Sequence, residues 1–438
     1  MKADLANNCA KFSNKGHNYA IHLSTEIKTI LITAGAVFWV NVHAVEIAIT
    51  CGSSGSDVEF CLKHANAWAD KTGNTIKNFS PPTNSTEKLA LYRQLFAAKS
   101  ADLDVIQIDT VWPGILKDHL IDLKYYLKGQ ESVHFPAIIA NNTVAGRLVA
   151  MPWYADAGLL YYRKDLLAKY RLKVPATYES LALTAQTIQS AERAVGKADF
   201  YGFVFQGKAY EGLTCNALEW ISSNGGGNII DSDGNITVNN SQAAKAFDRA
   251  AQWIGTISPM GVLNYEEEES RGVFQNGNAL FMRNWPYAWA LLQKDDSLVK
   301  GKVGIATLPG TPSAATLGGW HLGVSRYSKN PAIAADLVFY MVSAPVQKAR
   351  AIEGSFNPTI PALYKDKEIV AANEFMASLQ EVFANGVARP TTATGIKYPP
   401  VSQSFYNAAH EVMSRHESGQ EAVEKLEIRL KQIRRKSW

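Results

Sequence analysis

The stretch Phe274–Trp289, FQNGNALFMRNWPYAW, decides how the rest of the chain is read. Phe274 and the Gly277 turn close an amphipathic helix, and Ala279–Met282 is an apolar run of strand length. Trp285, Tyr287 and Trp289 then follow around Pro286. Proline interrupts both a helix and a strand ladder, so the rings stand on a rigid turn at a strand exit. Indole and phenol rings placed there suit stacking on the apolar faces of a sugar ring. The same rings would equally pack under a neighbouring helix, and the stretch alone leaves both readings open.

Outward from this strand, the first third of the chain alternates strand and helix patterns. Val45–Thr50 alternates like a strand, Val58–Lys71 has helical spacing up to Gly73, and Asn74–Phe79 is a second strand. Ser85–Lys99 is a second helix, and Asp104–Asp109 a buried parallel-type strand ending in a carboxylate. Strand–helix–strand–helix–strand at this spacing predicts a doubly wound α/β lobe. Ligands of such sheets bind beyond the carboxyl ends of the strands, where Asp57, Asp109 and Trp112 fall. Further on, Leu148–Asp165 reads as two apolar strands separated by an aromatic and acidic turn, a natural crossing point between lobes. Helix Pro175–Glu192, strand Phe200–Gln206 and a turn at Gly225–Gly227 follow. Glu266–Glu269 precede a helix and suit its dipole. Val303–Pro309 is a strand, and the loop Leu317–Trp320 leads into strand His321–Ser325. Helices Pro331–Met341 and Pro345–Ile352 come next. The largely helical C-terminal part is interrupted by the loop Ala388–Thr391 and a stop at Pro399–Pro400.

The chain has 438 residues, 47% of them apolar and 19% charged, enough to bury a large core in two lobes. The formal charge is only +4, and it gives no case for nucleic acid or an anionic membrane surface. The first forty-four residues read as an export signal: a Lys-bearing segment, the apolar run Ile30–Val40, then Val42-His43-Ala44 as a cleavage site. Cys9 falls in that segment. Cys51 and Cys61 flank a loop and either bridge it or act as small buried hydrophobes, and Cys215 is left over. No Cys/His spacing suits zinc.

The run Asn284–Trp289, the Leu317-Gly318-Gly319-Trp320 loop and the Pro152–Asp165 crossover together resemble bacterial extracellular solute-binding proteins of the carbohydrate class. The resemblance is nearest to the trehalose/maltose-binding proteins that feed ABC importers, and it covers roughly residues 45–433. It implies a two-lobed periplasmic-binding-protein fold, with two doubly wound α/β lobes joined by a hinge of crossing segments. The lobes are expected at 45–153 plus 310–357 and at 154–309 plus 358–438, after a signal peptide over 1–44 cleaved near Ala44. The implied function is periplasmic binding of an α-glucoside disaccharide (trehalose, maltose or sucrose) by a monomer without cofactor. The sugar would pass to permease subunits in the inner membrane, driven by a cytoplasmic ATPase. The implied sugar contacts are Asp57, Lys88, Asp109, Tyr154, Asp156, Trp285, Gly319, Trp320 and Arg389. Lys88 stands where the family has arginine, and lysine lacks the bidentate fork.

Two other classes stay open on the residues alone. Asp57, Asp109 and Asp156 contain enough carboxylates for a glycoside hydrolase, with Asp109 and Asp156 as the pair. Tyr161-Tyr162 resembles the paired tyrosines of ferric-binding proteins, although Leu159-Leu160 before them reads as a strand.

Overall fold

The computed structural model describes residues 44–438 except 53–54, 127–128, 374, 377–378, 380–381 and 384. The expected export signal over residues 1–44 lies, except for Ala44, outside the described residues. In chain order the strands are β1 Glu46–Thr50, β2 Thr75–Phe79, β3 Val105–Asp109, β4 Thr143–Val144, β5 Arg147–Leu148, β6 Met151–Ala157, β7 Leu159–Arg163, β8 Tyr201–Val204, β9 Ala279–Asn284, β10 Val303–Ala306 and β11 Leu317–Val324. They form a five-stranded sheet in the order β2-β1-β3-β11-β6, a four-stranded sheet β10-β7-β9-β8, and the hairpin β4-β5.

β1, β2 and β3 are parallel, as the alternating strand and helix pattern predicts. The connecting helices have ordinary local causes. Asp57–Thr72 ends on Gly73 in the left-handed conformation, and glycine pays no Cβ penalty there. Ser85–Ala97 is capped by the Asn84 side chain, which accepts from the Thr86 and Glu87 amides. Each sheet has its own apolar core. Trp68, Val105, Leu322 and Leu337 belong to the core of the first sheet. Phe203, Phe205, Trp220 and Trp253 pack around the second, several of them edge-to-face, the arrangement aromatic quadrupoles favour.

Three expectations are corrected. Pro152–Asp156 is not a turn: it is the body of β6, and the break between the two apolar strands is Gly158. β6 is the last strand of its sheet, and on an edge strand a proline without N–H leaves no ladder bond unmade. Gly158 is obligatory, because a Cβ there would lie 2.2 Å from Glu219 Oε1 and 2.7 Å from Arg283 Nη2. Leu317–Trp320 is likewise strand, not loop. β11 runs through it, with Gly319 at φ +129° and a register shift between Trp320 and His321. Pro399 and Pro400 do not stop a helix; they sit in the first turn of helix Tyr398–Met413, where missing amide hydrogens cost nothing. Cys51 and Cys61 form a disulfide, with Cα atoms 5.5 Å apart, and Cys215 is free and buried. Among the described residues no helix is long and apolar enough to cross a membrane.

Candidate functional site

The register of the first sheet assembles one wall of a cleft. Trp320 lies opposite Asp109 on one side and Tyr154 on the other, and Gly318 lies opposite Asp156. Cross-strand neighbours share a face, so an acid, a ring, a second ring and a second acid line up across β3, β11 and β6. Gly319 permits this closeness: a Cβ there would sit 2.6 Å from the Tyr154 carbonyl oxygen.

Behind this wall is a buried polar layer. The Tyr154 hydroxyl donates to Asp57 Oδ2 at 2.9 Å, and Gln107 Nε2 donates to the same carboxylate oxygen at 2.9 Å. Arg350 Nη2 donates to Asp57 Oδ1 at 2.7 Å, with both side chains 1% exposed. The Arg350 guanidinium lies 4.0 Å from the Trp153 ring centroid and 4.3 Å from that of Phe356, a desolvated cation–π arrangement. Lys88 is fully buried beneath the wall, its Nζ 4.4 Å from the Trp320 ring centroid and 3.3 Å from the Gly52 carbonyl oxygen. Burial pulls its ammonium down to about 7.

The facing wall is made by helix starts. Helix Glu211–Ser223 opens with Tyr210 and Glu211, and helix Glu267–Gln275 opens with Glu267. Tyr210 donates to Glu267 Oε2 at 2.7 Å, and Trp285 Nε1 donates to Glu267 Oε1 at 3.2 Å. The Trp285 ring lies on the Arg283 guanidinium, 3.9 Å from centroid to carbon. Arg283 in turn is held by Glu219 at 2.5 and 2.9 Å, both buried. The Tyr161 hydroxyl donates to the Trp285 carbonyl at 2.7 Å and fixes the turn.

Arg389 bridges the two walls. Its Nη2 donates to Asp109 Oδ1 at 2.8 Å and its Nη1 to Glu211 Oε1 at 2.8 Å. Tyr398 donates to the same Glu211 oxygen, and Ser402 to the other at 2.6 Å. Between the walls is a cavity of about 60 Å³.

Seven of the nine candidate residues line this cavity: Asp109, Tyr154, Asp156, Trp285, Gly319, Trp320 and Arg389. Asp57 and Lys88 stand one layer behind it, supporting Tyr154 and Trp320. Trp289, third ring of the opening stretch, packs instead near Phe375 at 5.8 Å between centroids. Tyr287, a ring of the opening stretch, also lines the cavity, as do Tyr210, Glu211, Glu267 and Phe356, whose binding role the sequence does not show. Of the acidic run expected to suit the helix dipole, Glu266 and Glu269 form a capping box at the start of the helix, whereas Glu267 lines the cleft. The available signal was a charge amid apolar residues: Arg283 inside Ala279–Asn284, and Glu219 inside a buried helix.

Among the lining carboxyls Asp156 is distinct. No group of the described residues hydrogen-bonds its side chain, and burial, reinforced by Asp57, pushes it up to about 7. Glu211 and Glu267 are also raised by burial, but their oxygens already have donors. The cleft therefore keeps an acceptor in reserve on the first wall, flanked by rings on both.

A family pattern for bacterial extracellular solute-binding proteins matches residues 62–348. The chain is a member of that family. This solute-binding protein is 51% identical over 401 residues to a probable ABC transporter-binding protein of Deinococcus radiodurans, covering 90% of this chain and 95% of that one. Maltose-bound T. maritima MalE3 superposes with a TM-score of 0.84 at 38% identity, over 89% of this chain and 100% of that one. A Thermotoga lettingae solute-binding protein bound with alpha-D-tagatose superposes at 0.79 with 21% identity, over 89% and 100% of the two chains, which shows the shared two-lobed α/β fold.

Proposed function

We propose that this solute-binding protein takes up an α-glucoside disaccharide, trehalose, maltose or sucrose, between its two walls and delivers it outside the cytoplasmic membrane to the permease of an ABC importer. The observation that carries the reading is one cavity lined by Trp320, Tyr154, Asp109 and Asp156 from the first wall and by Trp285 from the second, with Arg389 bridging the two. Rings cover the C–H faces of a sugar, and carboxylates accept from adjacent hydroxyls. The relation to the maltose-bound T. maritima protein and to the Deinococcus transporter-binding protein supports the sugar and the importer respectively.

A cavity of about 60 Å³ is far below the ~300 Å³ at which small-molecule pockets begin. In this reading a disaccharide enters when the walls part, and it holds them together once bound. We place the division of lobes at residues 45–153 plus 310–357 and 154–309 plus 358–438, and treat the protein as a periplasmic monomer released from a signal peptide near Ala44. Each hydrogen bond to a charged group contributes roughly 1.5–3 kcal/mol, and micromolar affinity needs about −8 kcal/mol. Several contacts from both walls must therefore act together.

Hydrolysis has less support. The oxygens of Asp109 accept from Arg389 and from the Val111 amide, which leaves a poor nucleophile or base. In the ferric reading, Tyr161 is committed to backbone carbonyls. Titration calorimetry with trehalose, maltose and sucrose tests the proposal: micromolar binding of at least one is expected. Absence of heat with all three would refute it, and glucose released on incubation would revive the hydrolase.

A further inference from the structure

The small formal charge of the chain conceals an uneven distribution. Residues 425–438, KLEIRLKQIRRKSW, hold six lysines and arginines against Glu427 alone, an excess of five. The whole chain carries +4, so residues 1–424 are net negative by one. Asymmetry of this kind points to an anionic partner, a membrane or a nucleic acid.

The basic segment is an ordered platform. Helix Gly419–Arg434 buries Ala422, Val423, Leu426 and Leu430 in the core of the second sheet. Its outward stripe, Lys425, Ile428, Arg429 and Gln432, follows the three- and four-residue spacing of one helical face. Ile428 stands 58% exposed between the cations. Beyond the helix the chain is pinned. Trp438 Nε1 donates to the Gly234 carbonyl at 2.7 Å, and the Lys397 ammonium donates to the carbonyls of Ile433, Arg434 and Ser437 at 3.1, 3.0 and 2.7 Å.

Most of the cations on this platform are unspent. Lys425 pairs with Glu417 and Lys431 with Glu427. Arg434, Arg435 and Lys436 make no side-chain hydrogen bond or ion pair among the described residues, and Arg429 meets only the neutral Gln432 at 3.3 Å. Arg434, in the last turn, complements the helix dipole, but Arg435 and Lys436 lie past it. The turn that receives Trp438 holds Asp231 and Asp233, and the Asp231 carboxylate is occupied by donors of its own turn.

We propose that this face docks on an anionic phospholipid bilayer and holds the exported protein against the membrane that carries its permease. A cluster of about four to eight lysines and arginines is of the size that anionic headgroups retain, and an apolar side chain among them enters the interface. Nucleic acid fits less well. Single strands are gripped by stacking on free rings, and Trp438, the one ring in residues 425–438, is tied to Gly234. The inference rests on the export reading above and is independent of which sugar binds.

The test is co-sedimentation of the exported form, residues 45–438, with vesicles of phosphatidylglycerol and phosphatidylcholine in equal parts. Pure phosphatidylcholine vesicles and duplex DNA at equal phosphate serve as comparisons. The wild type is expected to bind the anionic vesicles at least about 10-fold more tightly than either, and to be released by molar salt, where screening is nearly complete. Arg429→Gln/Arg435→Gln/Lys436→Gln is expected to lose about 10-fold in that affinity while keeping the wild-type melting temperature. Should the triple variant melt early, Arg435→Gln/Lys436→Gln, both positions beyond the helix, is expected to show a smaller loss in the same direction. A wild type that ignores anionic vesicles, binds neutral ones equally or prefers DNA would overturn the inference, as would folded variants that bind like the wild type. Maltose calorimetry on the same preparations separates the two readings, since lost sugar binding with retained vesicle binding would count against the disaccharide alone.

Discussion

The two walls of the cleft hold similar residues but are built in opposite ways. On the first, Asp109, Tyr154, Asp156 and Trp320 stand on adjacent strands, and their spacing is fixed by backbone register. On the second, Tyr210, Glu211 and Glu267 stand at helix starts, where each carboxyl is already satisfied by donors of its own side. The first wall thus keeps an unused acceptor, Asp156, whereas the second spends its acids on holding Tyr210, Trp285 and Arg389 in place. In the proposed function, recognition falls mainly on the first wall, and ring orientation on the second.

Each wall is backed by a buried arginine pair, and the largest effects are expected there. Arg350→Met leaves Asp57 buried without its cation, and Arg283→Met does the same to Glu219; each is expected to cost about 3–5 kcal/mol, read by denaturant titration. Arg283→Met should also free the Trp285 ring, while Arg350→Met acts on Tyr154. Retention of full stability in both would show that the pairs do not anchor the walls.

The walls separate in ligand binding. Asp156→Ala removes the free acceptor, and an affinity loss on the order of 100-fold is expected, equivalent to two hydrogen bonds to a charged group. Its stability should hold or rise, since a buried carboxyl without donors disfavours folding. Glu267→Gln should cost about 10-fold or less in affinity, because its oxygens accept from Tyr210 and Trp285 rather than from the ligand. Calorimetry on the two variants, with thermal melts of the free proteins, compares them. An equal loss from both would erase the distinction between the walls.

The smallest effect is on pH dependence. The folded protein holds the Asp156 proton up to about pH 7, whereas the unfolded chain loses it near the ordinary aspartate value. Between these values the folded state binds more protons, so stability falls as pH rises. Lys88 acts in the opposite sense: burial lowers it to about 7 from the ordinary 10.5, and between those values the unfolded chain binds more protons, so stability rises with pH until the unfolded lysine titrates. Asp156→Asn should flatten the slope on the acid side only, and Lys88→Met on the alkaline side only. Unchanged slopes would show that neither group is perturbed in the folded state.

What the sequence disclosed follows this division. Asp109 was legible because a buried strand ending in an acid points to the carboxyl edge of a sheet. Gly319 and Trp320 entered only through the family resemblance and were read as a loop, whereas the positive φ of Gly319 belongs to a strand. Glu211 and Glu267 were not, because an acid at a helix start has a sufficient local reason in the dipole. Nor can a linear pattern show that Asp57 and Lys88 turn inward beneath Tyr154 and Trp320. That depends on which side of helices Asp57–Thr72 and Ser85–Ala97 meets the sheet, a matter of tertiary packing. Pro152 misled for a related reason: its strand is tolerable only because it is an edge, and edge status is set by topology.

The most direct measurement is a crystal structure of the protein grown with maltose. The sugar is expected between Trp285 and Trp320, with hydroxyls donating to Asp156 and Asp109 and with Arg389 bridging the walls beside it. A sugar bound away from these residues, or a cleft in which Asp156 meets no ligand hydroxyl, would contradict the account.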